Sequence, residues 1–269
     1  MSPRSGGALE GRGVELGGAV ALVTGGSAGI GRAVCLELAA AGAEVVVHGR
    51  DPVRTQDVAD WVNGVAVKAE LREYDAVQAL AAQALAAHGR VDVLVANAGI
   101  GWSGPFVQMS DQEIADLVTV DLAATMRLAR LLLPGMVERR TGCLLLVTSV
   151  AGRTGVAGEA VYAAAKAGLD AFAESLRLEL AGTGVHVGVV VPAAVDTGFF
   201  STRGRAYDRR VPRPLEPEAV ALAVVQAIKQ DRAETWIPRW IRLAAVVRAV
   251  FPGGYRRLAT RFGESVRSE

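Results

Sequence analysis

The stretch VTGGSAGIGRAV (residues 23–34) holds four glycines, Gly25, Gly26, Gly29 and Gly31, within seven residues. Glycine inside a regular element costs about 0.5–1 kcal/mol relative to alanine, so a cluster marks a place where something approaches the main chain or the chain turns sharply. The apolar run 19–23 before it reads as a buried strand, and Ile30, Val34, Leu36 and Leu38 recur with a helical period that predicts a helix over 31–41. A strand, a bare turn and a helix N-terminus in this order aim free amides and the positive end of the helix dipole at whatever lies over the glycines, which suits a phosphate. The spacing Gly25, Gly29, Gly31 is G-x-x-x-G-x-G rather than the commoner G-x-G-x-x-G. A dinucleotide pyrophosphate is the natural guest; a tight structural turn against a helix is the alternative.

Outward from this turn, short apolar runs at 44–48, 65–67, 91–96, 143–148 and 185–191 alternate with helical patterns at 55–62, 74–88, 111–140 and 160–181. That alternation predicts right-handed βαβ units and an α/β fold with a doubly wound parallel sheet flanked by helices, whose ligands bind beyond the carboxyl ends of the strands. At 269 residues and 51 % apolar composition, a single domain is expected over 18–235, with 1–17 as a loose tail and 236–269 as a helical extension of the same domain. The net charge of +1 gives no electrostatic case for nucleic acid, and no uncharged apolar run reaches the roughly 18 residues of a spanning helix. The opening MSPRSGGALEGRGVELGG lacks the apolar centre of a secretory signal, and Cys35 and Cys143 read as inert buried thiols suited to a reducing cytoplasm.

After the second strand the chain reads VVVHGRD, so Gly49 stands where a dinucleotide site would offer a carboxylate to the ribose of NAD, and Arg50 follows at once. An arginine fork can pair with a 2′-phosphate, with Ser27 of the glycine turn as helper, which favours NADP(H) over NAD(H). A solvated surface arginine is the alternative.

Three further features stand in register: Asn97-Ala98-Gly99 after the fourth strand, Ser149 after the fifth, and Tyr162-x-x-x-Lys166 thirteen residues beyond that serine. With Thr24 to Gly31 they resemble the short-chain dehydrogenase/reductase family over about residues 19–197. The resemblance implies a Rossmann fold, a nicotinamide cofactor and no metal site. It further implies that Tyr162 is the proton donor and acceptor, that Ser149 holds the substrate oxygen, and that Lys166 binds the nicotinamide ribose. Cofactor-binding positions carried over on the motifs are Gly25, Ser27, Gly29, Ile30, Gly31, Arg50, Glu70, Leu71, Asn97, Gly99, Tyr162, Lys166, Pro192, Val195 and Thr197. Independently, Tyr162 and Lys166 lie four apart and share a helix face, so the ammonium is expected to draw the phenol down from its ordinary pKa near 10. Two positions depart from the pattern. Asp121 replaces the usual asparagine of the long central helix, which alters the charge near Lys166, and Ala193 replaces the glycine after Pro192.

The substrate is expected between Trp102 and Phe106 on one side and Phe199 and Phe200 on the other, a lining that suits a bulky apolar carbonyl or alcohol. Arg203, Arg205, Arg209, Arg210 and Arg213 near Tyr207 read as a solvated face, with attraction of an anionic tail as the alternative. From Trp236 onward seven arginines face two glutamates; Pro238 suits the first position of a helix and Pro252-Gly253-Gly254 its end. The arginines do not keep to one face, so a cover for the pocket or a subunit contact is preferred to a membrane-surface helix. The expected activity is hydride transfer between a nicotinamide, preferably NADP(H), and a carbonyl or secondary alcohol of a small molecule, in a cytoplasmic homodimer or homotetramer. A 3-oxoacyl carrier-protein reductase is a narrower alternative. A catalytically silent nucleotide-binding protein is the alternative from another class.

Overall fold

A computed structural model describes residues 13–205, 207 and 213–262. In chain order the elements are β1 (Val20–Val23), α1 (Gly29–Ala40), β2 (Glu44–Gly49), α2 (Pro52–Trp61), β3 (Val65–Lys68), α3 (Tyr74–His88) and β4 (Val93–Ala96). They continue with α4 (Asp111–Val118), α5 (Ala124–Arg139), β5 (Gly142–Val147), α6 (Val150–Thr154), α7 (Ala160–Glu179) and β6 (Val185–Pro192). The chain then forms α8 (Phe199–Thr202), α9 (Pro217–Lys229), β7 (Glu234–Ile237), α10 (Arg242–Val250) and α11 (Pro252–Phe262). All strand pairs are parallel, in the order β3-β2-β1-β4-β5-β6-β7. The order reverses between β1 and β4, which opens a crevice at their carboxyl ends.

Strand alternation divides the core into two layers. Val20, Leu22, Leu94, Leu144 and Leu146 face one side with residues of α3, α5 and α7, while Ala21, Val23, Val93, Val95 and Leu145 face the other with residues of α1 and α9. Both faces are buried, which is why the strands read as apolar runs without alternation.

Four expectations need correction. Residues 13–17 are not a loose tail: Val14 N–H donates to the Ile228 carbonyl at 3.3 Å, and Leu16 is fully buried with the α1 and α9 layer. Those two apolar side chains are two apart and share a side, a signal hidden among glycines; residues 1–12 lie outside the described residues. The stretch 111–140 is not one helix, because a π-helical turn at Thr119–Ala123 separates α4 from α5 and carries Asp121. The boundary at 235/236 cuts through β7, whose Thr235 and Trp236 are buried against β6. Pro238 precedes a short 3-10 turn, Arg239–Ile241, rather than opening an α-helix, and Pro252 starts α11 as well as ending α10. No helix among the described residues is long and apolar enough to cross a membrane.

The glycine turn is pinned from β2. His48 is 1 % exposed; its Nδ1 accepts from Gly25 N–H at 3.3 Å, and its Nε2 lies 3.2 Å from the Ala69 carbonyl beyond β3. These partners require the neutral imidazole with its proton on Nε2. Burial is the main cause that lowers the His48 pKa to about 4. The unfolded chain therefore binds more protons between pH 6.5 and 4, and the stabilisation is complete above pH 6.5 and lost as pH falls toward 4, on the order of 3 kcal/mol. Chemical denaturation of wild type and His48→Gln across this window tests it: the wild-type midpoint should fall more steeply with acid, and parallel curves would count against the His48 account.

Candidate active site

The turn after β1 leaves no room for side chains. Gly25 has φ of +67°, and a Cβ on Gly31 would stand 2.1 Å from the Gly25 carbonyl oxygen. Ala28, the residue before α1, offers no capping side chain, and the first turn of α1 has no acidic residue, so its amides are left for a ligand. Asn97 holds the turn to the loop after β4. Its Nδ2 donates to the Thr24 and Gly25 carbonyls at 3.0 and 3.4 Å, while the Asn97 and Ala98 amides both donate to Thr24 Oγ1 at 3.0 Å.

Above this floor lies a cavity of roughly 510 Å³. Gly25, Ser27, Gly29, Ile30, Arg50, Glu70, Leu71, Asn97 and Gly99 line the end over the glycine turn, and Ser149, Tyr162, Lys166, Pro192, Val195 and Thr197 continue the wall. Gly31 lies beneath the turn and Asp121 behind the wall, both buried. A Cβ at Gly49 would come 2.3 Å from Thr55 Oγ1 and 2.7 Å from Ser27 Oγ, so close packing of β2 on the glycine turn excludes a side chain at that position. Arg50 is exposed at the rim and makes no ion pair among the described residues. Asp51 beside it is committed elsewhere, accepting the Val53 and Arg54 amides at the start of α2 and the Arg54 side chain at 2.9 Å. Arg54 lines the same rim and is a second cation that the sequence reading passed over. Glu70 pairs with Arg72 at 3.2 Å.

The other end gathers titratable groups. Ser149 caps α6, its Oγ accepting the Ala151 amide at 3.1 Å, and it lines the same wall of the cavity as Tyr162. Lys166 is 4 % exposed; its Nζ donates to the Val147 carbonyl at 3.3 Å, lies 3.5 Å from Asp121 Oδ2 and sits 5.6 Å from the Tyr162 ring centre. Asp121 is wholly buried and accepts the Ile100 amide at 2.7 Å. Burial pushes its carboxyl up to about 6, opposed by Lys166 and by that amide.

Tyr162 departs from expectation. Desolvation raises its phenol above the ordinary value, and the Asp121 and Glu159 charges add to this, while Ser149 and the charge of Arg203 oppose it. The expected lowering by Lys166 is not what dominates, because the ammonium stands beside Asp121 and two carboxylates face the phenol.

At the substrate end, Phe199, Phe200 and Tyr207 line the cavity in a chain of ring contacts, Tyr162 to Phe199 at 5.5 Å, Phe199 to Phe200 at 6.0 Å and Phe200 to Tyr207 at 5.0 Å. Trp102 and Phe106 do not line it. Trp102 Nε1 donates to Glu113 at 2.9 Å at the start of α4, Phe106 is 56 % exposed, and both border a separate pocket of about 30 Å³. The solvated-face reading also fails at Arg203, which is 5 % exposed and paired with Glu159; Arg213 is exposed, and Arg209 and Arg210 lie outside the described residues. The C-terminal helices reach the same end through Ile241, Ala244 and Tyr255, and Arg248 ties α10 to the body by donating to the Arg153 carbonyl at 2.9 Å. No group of three metal-ligating side chains occurs among the described residues.

The family model described as short chain dehydrogenase matches residues 19–208. The ketoacyl reductase HetN of Nostoc sp. is 38 % identical over 227 residues, 81 % of this chain and 77 % of that protein. A short-chain dehydrogenase from Sphingobium yanoikuyae, solved in complex with NADPH, superposes with a TM-score of 0.78 at 27 % identity, covering 93 % of this chain and 98 % of the other. A 3-ketoacyl-(acyl-carrier-protein) reductase from Brucella melitensis, complexed with NADH, does so with a TM-score of 0.78 at 27 % identity over 82 % of this chain and 97 % of the other. The motifs, the sheet order and these likenesses agree: the chain belongs to the short chain dehydrogenase family and is an NAD(P)-dependent oxidoreductase.

Proposed function

We propose that the protein interconverts a carbonyl and a secondary alcohol on a bulky, largely apolar small molecule, with Tyr162 as the proton-transferring residue. The observation that carries this reading is the meeting of Ser149, Tyr162 and Lys166 on one wall of a cavity whose other end is the glycine turn. The turn fits a dinucleotide: its cradle admits no Cβ at Gly31, and the amides of α1 are uncapped. Bound there, the nicotinamide supplies or accepts the hydride and, when oxidised, brings a positive charge.

Tyr162 gives its phenolic proton to the carbonyl oxygen in reduction and takes it back in oxidation. A phenol raised by burial stays protonated at neutral pH, which suits the donor role, and Ser149 holds the same substrate oxygen in place. Lys166 would hold the ribose hydroxyls, and Asp121, at the position of the family's asparagine, steadies the lysine by charge. Pro192, Val195 and Thr197 would hold the carboxamide side of the nicotinamide, with Ala193 on the same wall of the cavity. Glu70, Leu71, Asn97 and Gly99 hold the adenosine half.

NADP(H) is the preferred cofactor on the strength of Arg50, with Arg54 nearby and Asp51 already bonded. The relatives include both an NADPH and an NADH complex, so the preference rests on this chain's own side chains. A narrower reading, reduction of a 3-oxoacyl group on a carrier protein, gains from the printed names of two relatives, a ketoacyl reductase and a 3-ketoacyl-(acyl-carrier-protein) reductase, of which the second alone names the carrier. The helical pair α10 and α11 at the substrate end speaks for a different substrate. A cytoplasmic homodimer or homotetramer completes the proposal, and Cys35 and Cys143 are both free and buried.

Three measurements test this. Tyr162→Phe should lower turnover by about 10²–10⁴-fold while NADP(H) titration stays near wild type; a wild-type rate on the best substrate would remove Tyr162 from the role. Asp121→Asn should keep turnover but lose an inflection near pH 6 in the pH–rate profile, since the carboxyl titrating there is gone. Abolished activity in the folded variant would show that the carboxylate itself is required. Arg50→Ala should weaken NADP(H) roughly ten- to a hundredfold and NAD(H) little, as expected for one charged hydrogen-bonding partner; equal losses for both cofactors would refute the preference.

A further inference from the structure

Helix α10 is seated in the reverse of the usual way, since a surface helix ordinarily buries its apolar stripe. Its small side chains point inward: Ala245 packs against the core, Ala244 lines the cavity, and both are half-buried. The large ones stand outward. Leu243, Val246 and Val250 recur at i, i+3 and i+7, a spacing that puts them on one face, and they are 65 %, 46 % and 61 % exposed. Phe251, 68 % exposed, follows directly where the helix ends.

Cations flank this stripe. Between residues 239 and 262 the chain holds six arginines and no Asp, Glu or Lys. Arg239, Arg242, Arg256 and Arg257 are exposed and make no ion pair among the described residues. Arg248, which breaks the pattern on a helical wheel, is the one that reaches back to the body and donates to the Arg153 carbonyl at 2.9 Å. The scatter of arginines that counted against a membrane-surface helix therefore comes from a residue tied to the protein.

The chemistry of the partner follows from this combination. Exposed apolar side chains edged by unpaired guanidinium groups match a bilayer surface, where the first enter the acyl boundary and the second meet headgroup phosphates. A two-fold contact of the patch with a second copy would set these arginines against their own counterparts, with no acidic residue in the segment to receive them. Helix α10, nine residues and about 14 Å long, is too short to span a bilayer, so it lies along the surface.

We propose that α10 and the segment after it dock the protein on an anionic membrane surface, with Leu243, Val246, Val250 and Phe251 in the acyl boundary and the flanking arginines at the headgroup phosphates. Ile241, Ala244 and Tyr255, which line the cavity from the same segment, then bring its substrate end beside the bilayer.

The test is flotation of the full chain with vesicles of phosphatidylcholine alone and of phosphatidylcholine with about 30 % phosphatidylserine. It needs neither substrate nor cofactor, so it stands apart from the reductase reading. The chain should float with the anionic vesicles, be released as salt rises, and stay behind with phosphatidylcholine alone. Leu243→Asn with Val250→Asn leaves the charge unchanged; both side chains are exposed, so the melting temperature should stay near wild type while vesicle binding falls by more than roughly tenfold. Phe251→Ser, beyond the last turn of α10, should weaken binding in the same direction. Arg239→Gln with Arg242→Gln should weaken it roughly 25-fold at low salt, at about fivefold for each cation. Absence of flotation with the anionic vesicles overturns the proposal, and so does flotation that the apolar substitutions leave unchanged, since that is adsorption by charge alone. An oligomer that comes apart in the Leu243→Asn, Val250→Asn variant, with no vesicle binding by wild type, overturns it in favour of a second copy.

Discussion

The site is built on a contact between two stretches of backbone, the approach of α1 to the carbonyl of Gly25, so close that a Cβ on Gly31 would stand 2.1 Å from it. That approach directs the uncapped amides of α1 over the carboxyl ends of β1 and β4, where the strand order reverses. It also explains why so many bonds converge on residues 24 and 25: Asn97 reaches them from β4 and His48 from β2. Each supplies a partner that a tight turn cannot find within itself, and each thereby joins a neighbouring strand to the place where a phosphate would sit. Bulk at Gly31 would disturb all these connections together.

The second organising element is the buried pair of Lys166 and Asp121. A lysine 4 % exposed is costly unless its charge is met, and the π-helical turn at Thr119–Ala123 brings a wholly buried carboxyl to 3.5 Å from it. The π turn joins α4 to α5 while one residue is turned toward the site; such turns are rare and frequently lie at functional sites. The pair also links regions of the site. Asp121 accepts the Ile100 amide from the loop after β4, and a Cβ on Gly99 would come 2.9 Å from its Oδ2, so the central helix, that loop and α7 share one anchor. The same negative charge helps to hold the Tyr162 phenol up, so an aspartate where the family pattern has asparagine acts on that phenol through electrostatics as well as through geometry.

What the sequence made legible was periodic or bound to a fixed spacing. Apolar runs buried on both faces gave six strands to within two residues, and the motif spacings brought Ser149, Tyr162 and Lys166 to one wall. The missed strand β7 is short, begins with Glu234 and Thr235, and leads straight into an apolar, basic stretch that reads as helix. Val14 and Leu16 were hidden because two buried side chains do not make a period. The π turn has no composition signal, since one extra residue in a helical repeat shifts the face without changing the residue types. Trp102 and Phe106 were assigned to the pocket from aromatic character and loop position, and neither could reveal that Glu113, held in the capping box of α4, takes the indole N–H.

The substrate end follows a different logic from the cofactor end. Around the glycine turn the geometry is fixed by backbone, and few side chains could substitute. Beyond Tyr162 the lining comes from α8, from the residues after it and from the C-terminal helices, with Phe199, Phe200, Tyr207, Ile241 and Tyr255 enclosing the space. These side chains pack as an aromatic cluster against a buried charge pair, Arg203 with Glu159, that spans from the α8 segment to α7. A charge pair in that position holds the segment at one distance from Tyr162, and the rings fill what remains. The lining beyond Tyr162 therefore comes from a part of the chain that the shared motifs do not reach, whereas the wall of Ser149, Tyr162 and Lys166 is one that they nearly fully specify. This division lets one sheet and one Tyr162–Lys166 pair stand beside a lining drawn from residues more than thirty positions away in sequence, so the same frame can carry different linings.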